Sequence, residues 1–87
     1  MLLIGKNITF ADKSHYIVIM KNIGNTIKER RKALSITQRE LAALSKVGIN
    51  TLTKIERGEA NPSLMVIMSI LNTLGLEMDI TIKSGKM

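Results

Sequence analysis

TQRELAALSKVGINTLTKIERGEANP, residues 37–62, decides the fold of this chain. It opens on Thr37-Gln38-Arg39-Glu40, a capping box in which the Thr37 hydroxyl and the Glu40 carboxylate satisfy orphan helix amides reciprocally. A short amphipathic helix follows, with Leu41, Ala42 and Leu44 expected inward. Lys46-Val47-Gly48 then makes a turn, anchored by Val47, with Gly48 placed to cap the next helix. That helix is expected from Ile49 to about Arg57, burying Leu52 and Ile55. Ile49, Asn50, Thr51, Thr53 and Lys54 are left largely outward, and Gly58 supplies the stop, where a left-handed residue is cheapest.

Two short helices around a tight turn, the second bearing amide and basic side chains, are the sequence form of a helix-turn-helix. That device lays one helix in the major groove of DNA. Upstream, Ile23, Ile27 and Leu34 share a helical face, and Arg31 falls among them. A cation so near the core requires a carboxylate partner, because an unpaired buried charge is expensive. Downstream, Asn61-Pro62-Ser63 starts a further helix, with Pro62 near its first position and Asn61 or Ser63 as the cap. Leu64, Ile67, Ile70 or Leu71, and Leu74 make its core stripe, and Met65, Val66 and Met68 widen the apolar surface beyond one buried face. Gly75 ends it.

The two ends read differently. YIVIM, residues 16–20, is β-branched and aromatic and is expected as a strand. Residues 76–83 alternate strictly, with Leu76, Met78, Ile80 and Ile82 on one side. A lone strand with one apolar face must pair, with a two-fold mate, with the N-terminal strand or with both. The expected organisation is therefore an N-terminal extension over 1–20, a helix-turn-helix domain over 21–75, and a dimerisation strand and tail over 76–87.

Charge placement supports a polyanion partner. Lys21, Lys28, Arg30, Arg31, Lys32, Arg39, Lys46, Lys54 and Arg57 face only Glu29, Glu40 and Glu56 in the same stretch. The flanking charges cancel, so the whole formal excess of +6 lies on the helix-turn-helix segment. Phe10 and Tyr16 are the only aromatics and both lie upstream of it. A basic surface without stacking platforms favours duplex DNA over single strands. The 87 residues suffice for one small domain of marginal monomer stability, which makes a dimer the natural form. The chain has no cysteine for a disulfide or thiolate metal site, and that composition fits a reducing cytoplasm. No apolar run reaches the roughly 18 residues of a membrane span, and MLLIGKNITFADK lacks the form of a signal peptide. No nucleophile–base pair, carboxylate dyad, ligand cluster or phosphate-cradling glycine loop is legible, so neither an enzyme nor a cofactor is expected.

NIGNTIKERRKALSITQRELA and GINTLTKIERGEANPSL resemble the phage-repressor-like (Xre-type) helix-turn-helix family nearly position by position. The C-terminal LGLEMDITIK is similar to a narrower subgroup, the HipB-like antitoxins, in which a short strand from each subunit pairs across the dimer. The resemblance implies a mainly α, lambda-repressor-like bundle of four to five short helices with a C-terminal dimerisation strand, to which the residues of YIVIM add a strand at the N-terminus. It implies an ion pair between Arg31 and Glu56, base reading by Ile49, Asn50, Thr51 and Lys54, and phosphate contacts at Gln38, Arg39 and Arg57, with Lys46 and Thr53 grouped with them. Asn bonds adenine N6 and N7 bidentately, Lys prefers guanine O6/N7, and Ile49 suits a thymine methyl. The family usually has Gly where Lys46 stands and a small polar residue at Gly48, so a reshaped turn is expected. Dimer contacts are expected at Met65, Met68, Met78, Ile80 and Ile82.

The resulting expectation is a dimeric, sequence-specific repressor, the autoregulatory antitoxin of a Hip-type pair, with a palindromic duplex operator and a HipA-like kinase toxin as partners. Two alternatives stand beside it: a phage-type regulator without a toxin, and a protein-interaction module that keeps the fold.

Overall fold

The computed structural model describes residues 13–79, and among these it contains four helices and no strand. They are α1 (Lys13–Ala33), α2 (Gln38–Ser45), α3 (Ile49–Glu56) and α4 (Leu64–Thr73). α3 packs against α1 and α2, and α2 packs against α4. Ile27, Leu41, Leu52, Ile70 and Leu74 are fully buried, one or two from each helix or its end, and Ala42, Ile55, Ile67 and Leu71 complete the core.

The helices begin and end by local rules. At α2 the Glu40 amide donates to Thr37 Oγ1 at 3.0 Å and the Thr37 amide donates to Glu40 Oε1 at 2.7 Å. At α4 the Val66 amide donates to Ser63 Oγ, so Ser63 is the cap and Pro62 lies outside the helix. All four helices stop in the same way. Ser35, Lys46, Gly58 and Gly75 take positive φ, and the next residue's amide reaches back five positions, as when Val47 donates to Ala42 O at 2.9 Å. This closes orphan carbonyls in a Schellman motif at each end. Glycine is required elsewhere for a different reason: at Gly24 in α1, a Cβ would collide with the Ile55 carbonyl oxygen at the end of α3. The two backbones meet there.

Several expectations are corrected. Tyr16–Met20 lies within α1 and forms no strand. Its β propensity is outweighed because each residue extends a helix already nucleated downstream, gaining a hydrogen bond at little added cost. No edge is available to pair with it among the described residues. Residues 1–12, which carry the rest of the expected N-terminal extension, lie outside the described residues. Leu76 to Asp79 have no strand ladder either: the Leu76 amide closes the α4 stop on Leu71 O at 2.8 Å. Ile80 and Ile82 lie outside the described residues. Leu44 is 63% exposed, because the inward face of α2 is Leu41, Ala42 and Ser45. The Ser45 hydroxyl tolerates this by donating to Leu41 O. Leu64 is 61% exposed at the first position of α4, and Leu34 is exposed where α1 ends.

Side-chain hydrogen bonds add to the packing between elements. Arg30 Nε donates to Leu74 O at 2.9 Å, tying α1 to the end of α4. Ser69 Oγ donates to Ser45 O at 2.7 Å, tying α4 to the end of α2.

Candidate DNA-binding face

The face is built on α2, the turn and α3. Lys46 adopts φ 58°, ψ 42°, and its own amide donates to Ala42 O and Ala43 O. The turn thus closes with a lysine in the conformation that glycine adopts most cheaply. Gly48 is the cap residue of α3 in extended conformation, with no side chain to bond the free amides there. Its carbonyl accepts the Leu52 amide at 3.0 Å.

Along α3, Asn50, Thr51 and Lys54 are exposed. At positions i, i+1 and i+4 they share one side of the helix. Ile49 is half-buried and packs on the core. Thr53 is half-buried, and its hydroxyl donates to Ile49 O at 2.9 Å. Arg39 and Lys46 are exposed. Arg57 Nη1 stands 3.8 Å from Glu59 Oε1, with both side chains more than half exposed, a pair too weak and too solvated to hold Arg57 from another anion.

Behind this surface lies a polar network. Arg31 Nε donates to Glu56 Oε2 at 2.7 Å and Nη2 to Oε1 at 3.1 Å, while Nη1 donates to Ile36 O at 2.9 Å. The Arg31 and Glu56 side chains are 11% and 2% exposed, so the carboxylate that Arg31 requires comes from the last residue of α3. Gln38 Nε2 donates to Glu56 Oε1 at 2.9 Å, and Gln38 Oε1 lies 3.4 Å from Thr53 Oγ1. The side chain of Gln38 is therefore engaged inside the protein, which spacing alone could not indicate because 18 residues separate it from Glu56. No buried side-chain nitrogen or oxygen among the described residues lacks a hydrogen-bond partner.

Away from this face, Met65 is 81% exposed on α4, and Met68 and Met78 are also exposed. Leu44 and Met68 are the chain neighbours of Ser45 and Ser69, whose hydrogen bond joins α2 to α4. The sequence reading placed Leu44 in the core because of its apolar character, whereas it is exposed. The described residues contain no cluster able to hold a metal ion and no helix long and apolar enough to cross a membrane.

Four helices, a left-handed turn and a basic, amide-bearing third helix define a helix-turn-helix protein. The chain belongs to the Xre-type helix-turn-helix family, whose model matches residues 27–80. An uncharacterized HTH-type transcriptional regulator of Methanothermobacter thermautotrophicus is 41% identical over 51 residues, 59% of this chain and 74% of that protein. The Type II methyltransferase M.SsoII of Shigella sonnei is 49% identical over 45 residues, 48% of this chain but only 12% of the methyltransferase. Among solved structures, the restriction-modification controller protein C.AhdI of Aeromonas hydrophila superposes with a TM-score of 0.66 at 30% identity, covering 69% of this chain and 91% of that one.

Proposed function

We propose that the protein is a non-enzymatic, cytoplasmic regulator that binds an operator over its own promoter as a homodimer, reading bases with Asn50, Thr51 and Lys54. The observation that carries this reading is the exposure of these three side chains on one side of α3, behind which a buried network holds the helix in place. Arg39, Lys46 and Arg57 are exposed cations on α2, the turn and the end of α3, available to phosphates, and the formal excess of +6 lies on residues 21–57. Ile49, packed on the core, contributes only its exposed edge. A two-fold dimer requires a palindromic operator with half-sites about one helical turn apart. Its apolar contact is supplied by Met65 and Met68 on α4 together with Leu44 and exposed Met78.

The regulated partner is read in two ways. KIERGEANPSL and LGLEMDITIK favour a Hip-type antitoxin holding a HipA-like kinase toxin. The likenesses to a restriction-modification controller and to a Type II methyltransferase favour control of a restriction-modification gene pair. Gene neighbourhood separates them: a kinase-like gene beside this one supports the first, and a methyltransferase or endonuclease gene the second.

A salt titration of binding tests the core of the proposal. It compares the duplex upstream of the gene with scrambled duplex, for the wild type and for Asn50→Ala/Lys54→Ala. Specific binding lost in the double variant, with salt-dependent non-specific binding retained, is the expected result. Equal wild-type affinity for both duplexes would remove the autoregulatory reading.

A further inference from the structure

We infer that Gln38 is a positioning residue for operator discrimination, acting through Glu56 on the orientation of α3 and not through a phosphate of its own. The inference rests on the reading of α3 as the base-reading helix. Gln38 is the first residue of α2, at the end of the bundle where Arg39 is exposed, while Glu56 is the last residue of α3. Its Nε2 donates to Glu56 Oε1 at 2.9 Å, and the assignment of nitrogen and oxygen is forced: the reverse orientation would place the amide oxygen against a carboxylate. Glu56 is anchored on the other side by two bonds from Arg31 of α1. One carboxylate, 2% exposed, therefore receives α1 and α2 together, and the helix that carries it is α3.

The second end of the Gln38 amide reaches the middle of α3. Its Oε1 lies 3.4 Å from Thr53 Oγ1, whose proton is directed chiefly to Ile49 O at 2.9 Å. Gln38 thus touches α3 at Thr53 and at Glu56, three residues apart along one side of the helix. Two contacts on one helix add to the core packing of Leu52 and Ile55 in resisting rotation about its axis, whereas the Arg31 bonds reach only its last residue. Asn50, Thr51 and Lys54 project from the same helix, so a change in its roll moves all three relative to the base edges. Hydrogen bonds to bases are sharply directional, whereas contacts of flexible cations with phosphates are not. Loosening the clamp should therefore reduce discrimination while leaving non-specific attraction in place.

Gln38→Met, similar in length and shape but without donor or acceptor, tests this. The expected result is a fall of about tenfold in the ratio of operator to scrambled-duplex affinity, with scrambled-duplex affinity within twofold of wild type. A direct phosphate contact predicts the opposite, a similar loss on both duplexes. That outcome, or an unchanged ratio, overturns the inference. Hydrogen exchange of the free protein supplies a readout independent of DNA. Amides of Thr53 to Glu56 should exchange faster in Gln38→Met while those of Ile70 and Leu71 in α4 keep their wild-type rates. No change at α3 overturns the clamp itself, and faster exchange throughout marks general destabilisation and overturns it equally. If exchange shows the clamp but the wild type fails to prefer its operator, the base-reading function of α3 falls and this role of Gln38 with it.

Discussion

Lys46 holds a left-handed conformation that a Cβ-bearing residue occupies at a cost of about 1–2 kcal/mol. Glycine removes that strain but adds freedom to the unfolded chain, a partial offset of roughly 0.5–1 kcal/mol. Lys46→Gly is therefore expected to raise stability by about 0.5–1 kcal/mol, seen as a higher denaturant midpoint at unchanged slope. If Lys46 contacts phosphate in the complex, the same change lowers the salt slope of DNA binding by about one unit. A variant that is less stable than wild type would show that the lysine stem contributes packing that outweighs its backbone strain. Sequence made the departure at Lys46 visible but suggested a reshaped turn. The motif instead kept its geometry around the wrong residue, because backbone bonds from Lys46 and Val47 to Ala42 and Ala43 define it. Gly24 shows the reverse case: nothing in its surroundings along the chain signals that another helix's carbonyl lies against it.

At the scale of elements, α3 depends on a buried charge pair. Glu56→Ala leaves the Arg31 guanidinium, 11% exposed, without its carboxylate. A loss of about 3–5 kcal/mol is expected, large against the 5–15 kcal/mol of a typical domain. Replacing both members, as in Arg31→Met/Glu56→Leu, should recover much of it, because no orphan charge is then left buried. Thermal melts of the single and double variants check this, and a double variant less stable than Glu56→Ala would sink the argument. The helix-turn-helix itself was legible from its capping box, its Gly58 stop and the spacing of Leu41, Leu52 and Ile55, all of which act within a few residues. Strand and helix were not separable at Tyr16–Met20, since five apolar residues show no period and their state is set by the helix that follows. The inward face of α2 was misassigned between Leu44 and Ser45 because a serine that bonds its own helix backbone can be buried cheaply. Among the candidate site residues, the outward set Asn50, Thr51 and Lys54 could be read from helical periodicity. The inward engagement of Gln38 could not, being a long-range contact.

At the scale of the whole molecule, the exposed apolar side chains of α2 and α4 carry the proposed dimer contact. Met65, Met68 and Leu44 are exposed apolar side chains on α4 and α2, while the basic side chains divide between α1 (Lys21, Lys28, Arg30, Arg31, Lys32) and the segment from α2 to the end of α3 (Arg39, Lys46, Lys54, Arg57). Met65→Lys/Met68→Lys is expected to leave a folded monomer, because neither side chain belongs to the buried core. Sedimentation at micromolar concentration should show the change from dimer to monomer, and operator affinity should fall at least tenfold as the two half-sites lose their linkage. A variant that remains dimeric would move the interface to another surface. Exposed Ile17, Val18 and Ile19 near the start of α1 form a separate apolar patch.

Ser35, Lys46, Gly58 and Gly75 end the four helices with bonds that span no more than five residues. Where each helix stops is consequently written into the chain next to it and owes little to the residues that face outward. On the proposed reading of α3, Asn50, Thr51 and Lys54 can drift over generations to follow a changing operator while the bend that presents them is inherited intact. A scaffold of this kind can acquire new DNA addresses without first having to relearn its shape.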